Sequence, residues 1–202
     1  GAHCDTGPYE QRIGTVTVRS TGAEDGWTLE STETSNLGGS SNSSATTFRL
    51  GDGVGDKQYR SILSFDTSAI PDEAIVSKVT LRIRKQSQTG TNPFTILGGV
   101  RVDIRKLRFG SSVNLANSDF QAAAHATNIG VIPNRPVNNW YAKTWLSGSF
   151  FTIVNRTGST QFRLYFAKDD NDDNGADYMS FFSGDYPTVS ARPTLIIQYY
   201  IP

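Results

Sequence analysis

Two hexapeptides constrain this chain more than anything else in it. Val79-Thr80-Leu81-Arg82-Ile83-Arg84 and Val100-Arg101-Val102-Asp103-Ile104-Arg105 alternate apolar and polar residues without a break. A period of two places one set of side chains on a buried face and the other on a wet face. That is the signature of antiparallel strands packed on one side only. If the two strands are neighbours, their arginines form a stripe.

Further segments read as strands from β-branched and aromatic content between turn residues. They are Ile13 to Arg19, Trp27 to Glu30, Thr47 to Leu50, Tyr59 to Phe65, Phe150 to Val154, Gln161 to Phe166, Tyr178 to Phe182 and Thr194 to Ile201. Residues 31–47 hold fourteen Ser, Thr, Gly or Asn among seventeen, which predicts a long surface loop. Gly51 to Asp56 reads as a β-turn, because no Gly-Lys-Ser/Thr pair follows to make it a phosphate loop. One helix is expected, where the capping pattern Ser118-Asp119-Phe120-Gln121 precedes Ala122, Ala123, Ala124 and Ala126. The expected fold is all-β: a single jelly-roll-like antiparallel β-sandwich with one short helix. Residues 1–19 read as an N-terminal arm ending in a strand, and residues 20–202 as the sandwich.

Charge excludes some roles. Nineteen basic residues balance nineteen acidic ones, so no bulk field draws the chain to nucleic acid or an anionic membrane. No run of eighteen apolar residues marks a membrane span, and no signal peptide is visible. The abundance of Ser, Thr, Gly and Asn is common in extracellular β-proteins, and a cell-surface location is expected. Cys4 is the single cysteine, which rules out an intrachain disulfide. It reads as a free thiol, an interchain bridge or a lipid attachment site.

The acids are unevenly spread. Asp169, Asp170, Asn171, Asp172, Asp173, Asn174, Gly175, Ala176 and Asp177 place five carboxylates in nine residues, and no Lys or Arg follows before Arg192. Such a run repels itself unless a cation or water neutralises it. Calcium takes six to eight oxygens from Asp, Asn and carbonyl groups, so Asp169, Asp170, Asn171, Asp172, Asp173 and Asp177 are candidate Ca²⁺ ligands. The alternative is a solvated acidic turn. The spacing is not that of an EF-hand, since no Glu closes it.

Catalysis is not expected. His3 and His125 are the only histidines, and no Gly-x-Ser-x-Gly elbow accompanies them. The five glutamates lie in polar, turn-like segments, a poor setting for a glycosidase carboxyl pair. Sugar binding needs less: aromatic faces for C–H stacking and polar groups for hydroxyls. Trp140, Tyr141, Trp145 and Tyr178 are candidate platforms, and core packing is the competing reading for each. Arginines on a wet sheet face would suit an acidic polysaccharide. Asn42 and Asn155 head glycosylation sequons.

Residues 48–85 carry a family-like pattern. Arg60, Leu63, Phe65, Asp66, Ser68, Ile70 and Pro71 fall on an Arg-x-Leu-Leu-x-Phe-Asp-Leu-Ser-x-Ile-Pro segment, and Thr80-Leu81-Arg82-Ile83 follows as a strand. This resembles the disaggregatase-related (DNRLRE) domain family of secreted prokaryotic proteins. Residues 20–201 also look like modules of Chloroflexi-type surface proteins. The resemblance implies a jelly-roll sandwich of the carbohydrate-binding-module kind. Asp66 reads as a turn cap, with metal ligation as the alternative.

Two roles follow as expectations. In the first, the chain is a non-catalytic structural subunit of an extracellular filament or layer. Ile13, Thr15, Val16, Thr17 and Val18 would add as a strand to the sheet of another copy, forming a homopolymer. In that reading the competing placement of this segment is the first strand of its own sandwich. In the second, the chain is a carbohydrate-binding or adhesion module for an acidic polysaccharide.

Overall fold

The computed structural model describes residues 12–202. His3, Cys4 and the first part of the expected arm lie outside the described residues. Twelve strands follow in order: β1 (Arg12–Arg19), β2 (Gly26–Glu30), β3 (Gly38–Asn42), β4 (Thr47–Gly53), β5 (Lys57–Asp66), β6 (Ile75–Thr89), β7 (Val100–Lys106), β8 (Ala126–Ile132), β9 (Trp140–Trp145), β10 (Ser159–Phe166), β11 (Asp177–Phe182) and β12 (Thr194–Ile201). Every pairing between them is antiparallel. One α-helical turn, α1 (Pro93–Ile96), interrupts the strands, its first turn capped by Asn92, which accepts from Phe94 N at 3.0 Å.

The expected all-β sandwich is the observed one. The strand path runs β1-β12-β6-β11-β4-β5-β10-β7-β8, with β9 beside β6 and the β2–β3 hairpin beside β5. The fifteen-residue β6 serves both layers. Its first part pairs with β12 and β9, and its last residues, from Lys85, pair with β11. The alternation read from the sequence explains the packing. Val79, Leu81 and Ile83 of the first sheet are fully buried against Val100, Val102 and Ile104 of the second, in one apolar cluster with Phe65, Phe162, Phe181 and Leu195. Because β6 and β7 lie in different sheets, their arginines form no common stripe.

The N-terminal strand takes the second of its two expected placements, and three other elements differ from expectation. Ile13, Thr15, Val16, Thr17 and Val18 form an edge strand of this subunit's own first sheet, in unbroken register with β12 from Arg12↔Ile201 to Arg19↔Thr194. Residues 12–19 thus share a sheet with β12. The alanine-rich segment is not helical: Asn117–Phe120 makes one 3₁₀ turn and Ala126 already begins β8. Phe150 to Val154 is not a strand but falls in a 3₁₀ turn, Ser149–Ile153, and the expected loop 31–47 contains β3.

The second sheet has a covered outer face. Arg163 on β10 faces Asp103 on β7 directly across the ladder, with Nη2 2.7 Å from Oδ2. Arg163 Nη1 donates to the carbonyls of Asp119 (3.2 Å), Phe120 (3.2 Å) and Ala122 (2.6 Å), which binds the 107–125 segment down over the sheet. Phe109 and Phe120 are buried beneath it, ringed by the guanidinium groups of Arg163 (4.7 Å) and Arg60 (4.0 Å). No helix among the described residues is long and apolar enough to cross a membrane.

Candidate functional site: a polar groove and a buried carboxylate cage

Beside that covered patch, the outer face of the second sheet stays open as a groove of about 370 Å³. Its floor is Gln58 and Arg60 of β5, Arg101 of β7 and Tyr165 of β10. One wall is the β2–β3 turn with Glu30, Glu33, Thr34 and Asn36, and the other is Phe166, Ala167 and Asp169 after β10. The floor is fixed before anything binds. Arg60 donates from Nε to Gln58 Oε1, from Nη1 to Phe120 O (3.0 Å) and from Nη2 to Asn36 Oδ1 (2.8 Å). Glu30 accepts from Asn36 N (2.6 Å) and Gln58 N (3.3 Å), so its carboxylate holds the turn in place. Tyr165, half-buried, donates its hydroxyl to Asp103 Oδ1 at 3.1 Å, which fixes the ring. Burial, together with that carboxylate, raises the phenol above its ordinary range. Arg101 is half-exposed, and its guanidinium makes no hydrogen bond to protein among the described residues.

The wall after β10 is the start of the acidic run, which continues away from the groove and folds over the end of β4. There Asp52, Asp173 and Asp177 each bring a carboxylate oxygen within 4.8 Å of the others. Asp52 is fully shielded from solvent, and neither of its oxygens has a hydrogen-bond partner. Burial is the main force that pushes its carboxyl up to about 7; its own backbone N–H dipole offsets part of the rise, and Asp177, Asp173 and Asp170 add to it. Asn171 reaches in as well. Its amide Nδ2 donates to Asp173 Oδ2 (2.9 Å) and Asp177 Oδ2 (3.1 Å), while its Oδ1 is buried without a partner.

Local backbone makes the cage possible. Gly51, beside Asp52, holds φ +133°, and a Cβ there would collide with the carbonyl oxygen of Asp177. Only glycine lets β4 and β11 approach this closely. Asp172 and Asn174 take left-handed φ values of 59° and 57°, which these residue types tolerate better than most. Asn174 N donates to Asp56 Oδ1 at 2.9 Å, and Gly55 N donates to Asn174 O at 3.3 Å, tying the acidic loop to the β4–β5 turn.

The sequence candidates divide. Of the six acidic-run residues, Asp173, Asp177 and Asn171 meet at the cage. Asp169 faces the groove, Asp170 accepts from Asp172 N (3.1 Å) beside the cage, and Asp172 is exposed. Asp52 was missed, because Gly51-Asp52-Gly53 looks like a plain turn. Tyr141 and Trp145 are core residues, 3 % and 6 % exposed, and Trp145 Nε1 donates to Ile129 O at 2.7 Å. Trp140 and Tyr178 keep partial exposure but lie against guanidinium groups, Arg82 at 4.7 Å and Arg49 at 5.0 Å respectively. None of the four lines the groove; Tyr165 does.

Other readings settle simply. Asn155 is fully buried, with Nδ2 donating to Ser159 O (3.2 Å), so the folded chain does not present it for glycosylation. Asn42 is partly exposed and its Oδ1 caps a turn by accepting from Ser44 N (3.0 Å) and Ala45 N (2.9 Å). Asp66 is a turn cap, accepting from Ser68 N at 3.0 Å. His125 is exposed, its Nδ1 accepting from Lys106 N at 3.0 Å. No family model matches the chain, and no curated protein matches it.

Proposed function

We propose that this chain is a non-catalytic, extracellular carbohydrate-binding module, and that the groove over Arg60, Arg101 and Tyr165 takes a polysaccharide segment. The observation that carries this reading is the fixed, half-exposed ring of Tyr165 set among polar side chains in an open groove. A sugar ring stacks its C–H face on an aromatic, and its hydroxyls pair with side chains such as Arg101, Asn36 and Asp169. The groove holds three carboxylates (Glu30, Glu33, Asp169) against two guanidinium groups (Arg60, Arg101). That balance favours a neutral polysaccharide over the acidic one expected from an arginine stripe. The resemblance of residues 48–85 to a carbohydrate-binding-module-like family supports the same class of ligand.

A hydrolase reading is weaker. A glycosidase acid needs a protonated carboxyl in an apolar setting. Glu30 spends both oxygens on backbone N–H groups, and Glu33 and Asp169 are exposed. The carboxyls that burial pushes up, Asp25, Asp52, Asp119 and Asp170, are not among the residues lining the groove.

The test is affinity electrophoresis in gels containing neutral polysaccharides (β-glucan, xylan, mannan) or alginate. Retardation by a neutral polymer, lost in Tyr165→Ala and weakened in Arg101→Ala, is expected. Migration unaffected by every polymer would overturn the reading.

One observation favours a structural subunit as a second reading. β1 is an edge strand bonded on one side only, and a β1 from a neighbouring copy can make the same register with β12. Electron microscopy of the purified full chain separates the two, since strand exchange yields polymers and a binding module stays monomeric.

A further inference from the structure

We propose that Asp52, Asp173, Asp177 and the side-chain oxygen of Asn171 bind a calcium-type divalent cation that clamps the β10–β11 loop to the end of β4. This site is separate from the groove and stands whether or not the groove binds sugar.

Asp52 is 0 % exposed and both of its carboxylate oxygens lack a partner. A buried carboxylate without hydrogen bonds or a counter-charge is strongly disfavoured. The one ion pair among the described residues, Arg163–Asp103, is elsewhere. Asp173 and Asp177 bring two more carboxylates to the same point, which makes a cation the most direct remedy.

Oxygen ligands sit about 2.3–2.6 Å from Ca²⁺, so opposite ligands are roughly 4.6–5.2 Å apart. The three carboxylates already lie within 4.8 Å of one another, the span of a single ion's shell. The Asn171 amide completes the case. Its N–H₂ group bridges Asp173 and Asp177, standing where positive charge is wanted, and its oxygen is stranded. Turning that amide by half a rotation frees both carboxylates and brings Oδ1 into the ligand set.

The donor chemistry selects the ion. All donors are oxygens, which suits hard cations, and no His or Cys belongs to the cage, which disfavours zinc. Several anionic protein ligands on a pliable loop fit Ca²⁺ better than Mg²⁺, which keeps most of its water and demands octahedral order. Asp173 is exposed, so water can fill the remaining positions.

The experiment titrates CaCl₂ into chelator-treated full chain at pH 8, reading the melting temperature and tyrosine-sensitised Tb³⁺ emission. Wild type should gain roughly 5–10 °C at a hundredfold excess over Kd. Asp52→Asn should lose the calcium response, yet melt above wild type in chelator, because it removes a charge from a buried site. A merely structural Asp52 predicts no such reversal. Should Asp52→Asn fail to fold, the exposed Asp173→Asn serves instead, with an expected affinity loss of tenfold or more. A wild type unmoved by millimolar calcium, or an Asp173→Asn variant binding Tb³⁺ as tightly as wild type, would overturn the proposal.

Discussion

Arg163 and Asp103 stand directly opposite each other on neighbouring strands and share the only ion pair among the described residues, with side chains 8 % and 1 % exposed. Each also serves the surroundings. Asp103 Oδ1 takes the Tyr165 hydroxyl at 3.1 Å and Asn128 N at 2.9 Å, while Arg163 holds three carbonyls of the covering segment. The pair thus links the lid over Phe109 and Phe120 to the ring in the groove.

Breaking the pair from one side should be costly. Arg163→Met leaves Asp103 buried without a counter-charge and strips the carbonyls of Asp119 and Ala122 of their side-chain donor, while Phe120 O keeps Arg60. A loss of about 3–5 kcal/mol is expected from urea unfolding. Adding Asp103→Leu should recover part of it, since the stranded charge is gone. The double-mutant cycle should therefore show coupling of at least about 1 kcal/mol. Additive effects would mean that the pair is not the organising contact.

Two carboxyls set an unusual pH dependence. Burial chiefly raises Asp25, partly offset by hydrogen bonds from Ser20 Oγ and Gly184 N, and it likewise raises Asp52; both reach about 7. An unfolded Asp loses its proton near its ordinary value of 3.8. Between these values the native state holds protons that the unfolded chain has released. Stability from these two sites is therefore greatest below about pH 4, falls as pH rises towards 7, and levels off above. In chelator, the melting temperature should decline from pH 5 to pH 8. Asp25→Asn and Asp52→Asn should each flatten part of that slope, and a wild-type profile without a decline would contradict both assignments.

The β1 strand makes a separable contribution. It forms eight register pairs with β12, but of its apolar side chains only Val16 and Val18 pack on the core, and Ile13 is 81 % exposed. After it, the chain is locked: Ser20 Oγ donates to buried Asp25 Oδ2 at 2.7 Å, which also accepts from Gly184 N at 2.8 Å. Deleting residues 1–19 should leave a folded but less stable protein with a bare β12 edge. A synthetic peptide of residues 12–19 should restore the melting temperature. Failure of the peptide to raise it would show that this edge does not accept a strand from outside.

How far the sequence carried these conclusions depends on where the determining contacts lie. Strict alternation identified β6 and β7 because their inward faces are decided within six residues. The alanine-rich helix failed for a reason visible only in three dimensions. Carbonyls of Asp119, Phe120, Ala122 and Ala123, which a helix would use internally, are taken by Arg163, Arg60 and Arg105. Phe150, Ile153 and Val154 pack on the core at a turn-like spacing, which a reading of β-branched content overlooks. β3 is Gly- and Ser-rich and is stabilised from outside, by β2 and by Asn117 Nδ2 donating to Gly39 O. The acidic run signalled the cage, but Asp52 lies far away in sequence, and only the β4–β11 pairing unites them.

One loop borders both sites, which yields the last prediction. Asp169 forms a wall of the groove, and Asp173, four residues on, belongs to the cage. Without a cation, mutual repulsion among Asp52, Asp173 and Asp177 loosens the loop; with one, the loop is fixed at its centre. A groove wall that is already ordered loses less entropy when a ligand binds. Retardation by the best neutral polysaccharide should therefore strengthen several-fold between chelator and millimolar calcium. Asp52→Asn should bind the polymer but no longer respond to calcium, whereas Tyr165→Ala should lose the polymer and keep its calcium-induced gain in melting temperature. Equal retardation with and without calcium, in a protein shown by Tb³⁺ emission to hold the ion, would establish that the cage supports the fold without tuning the groove.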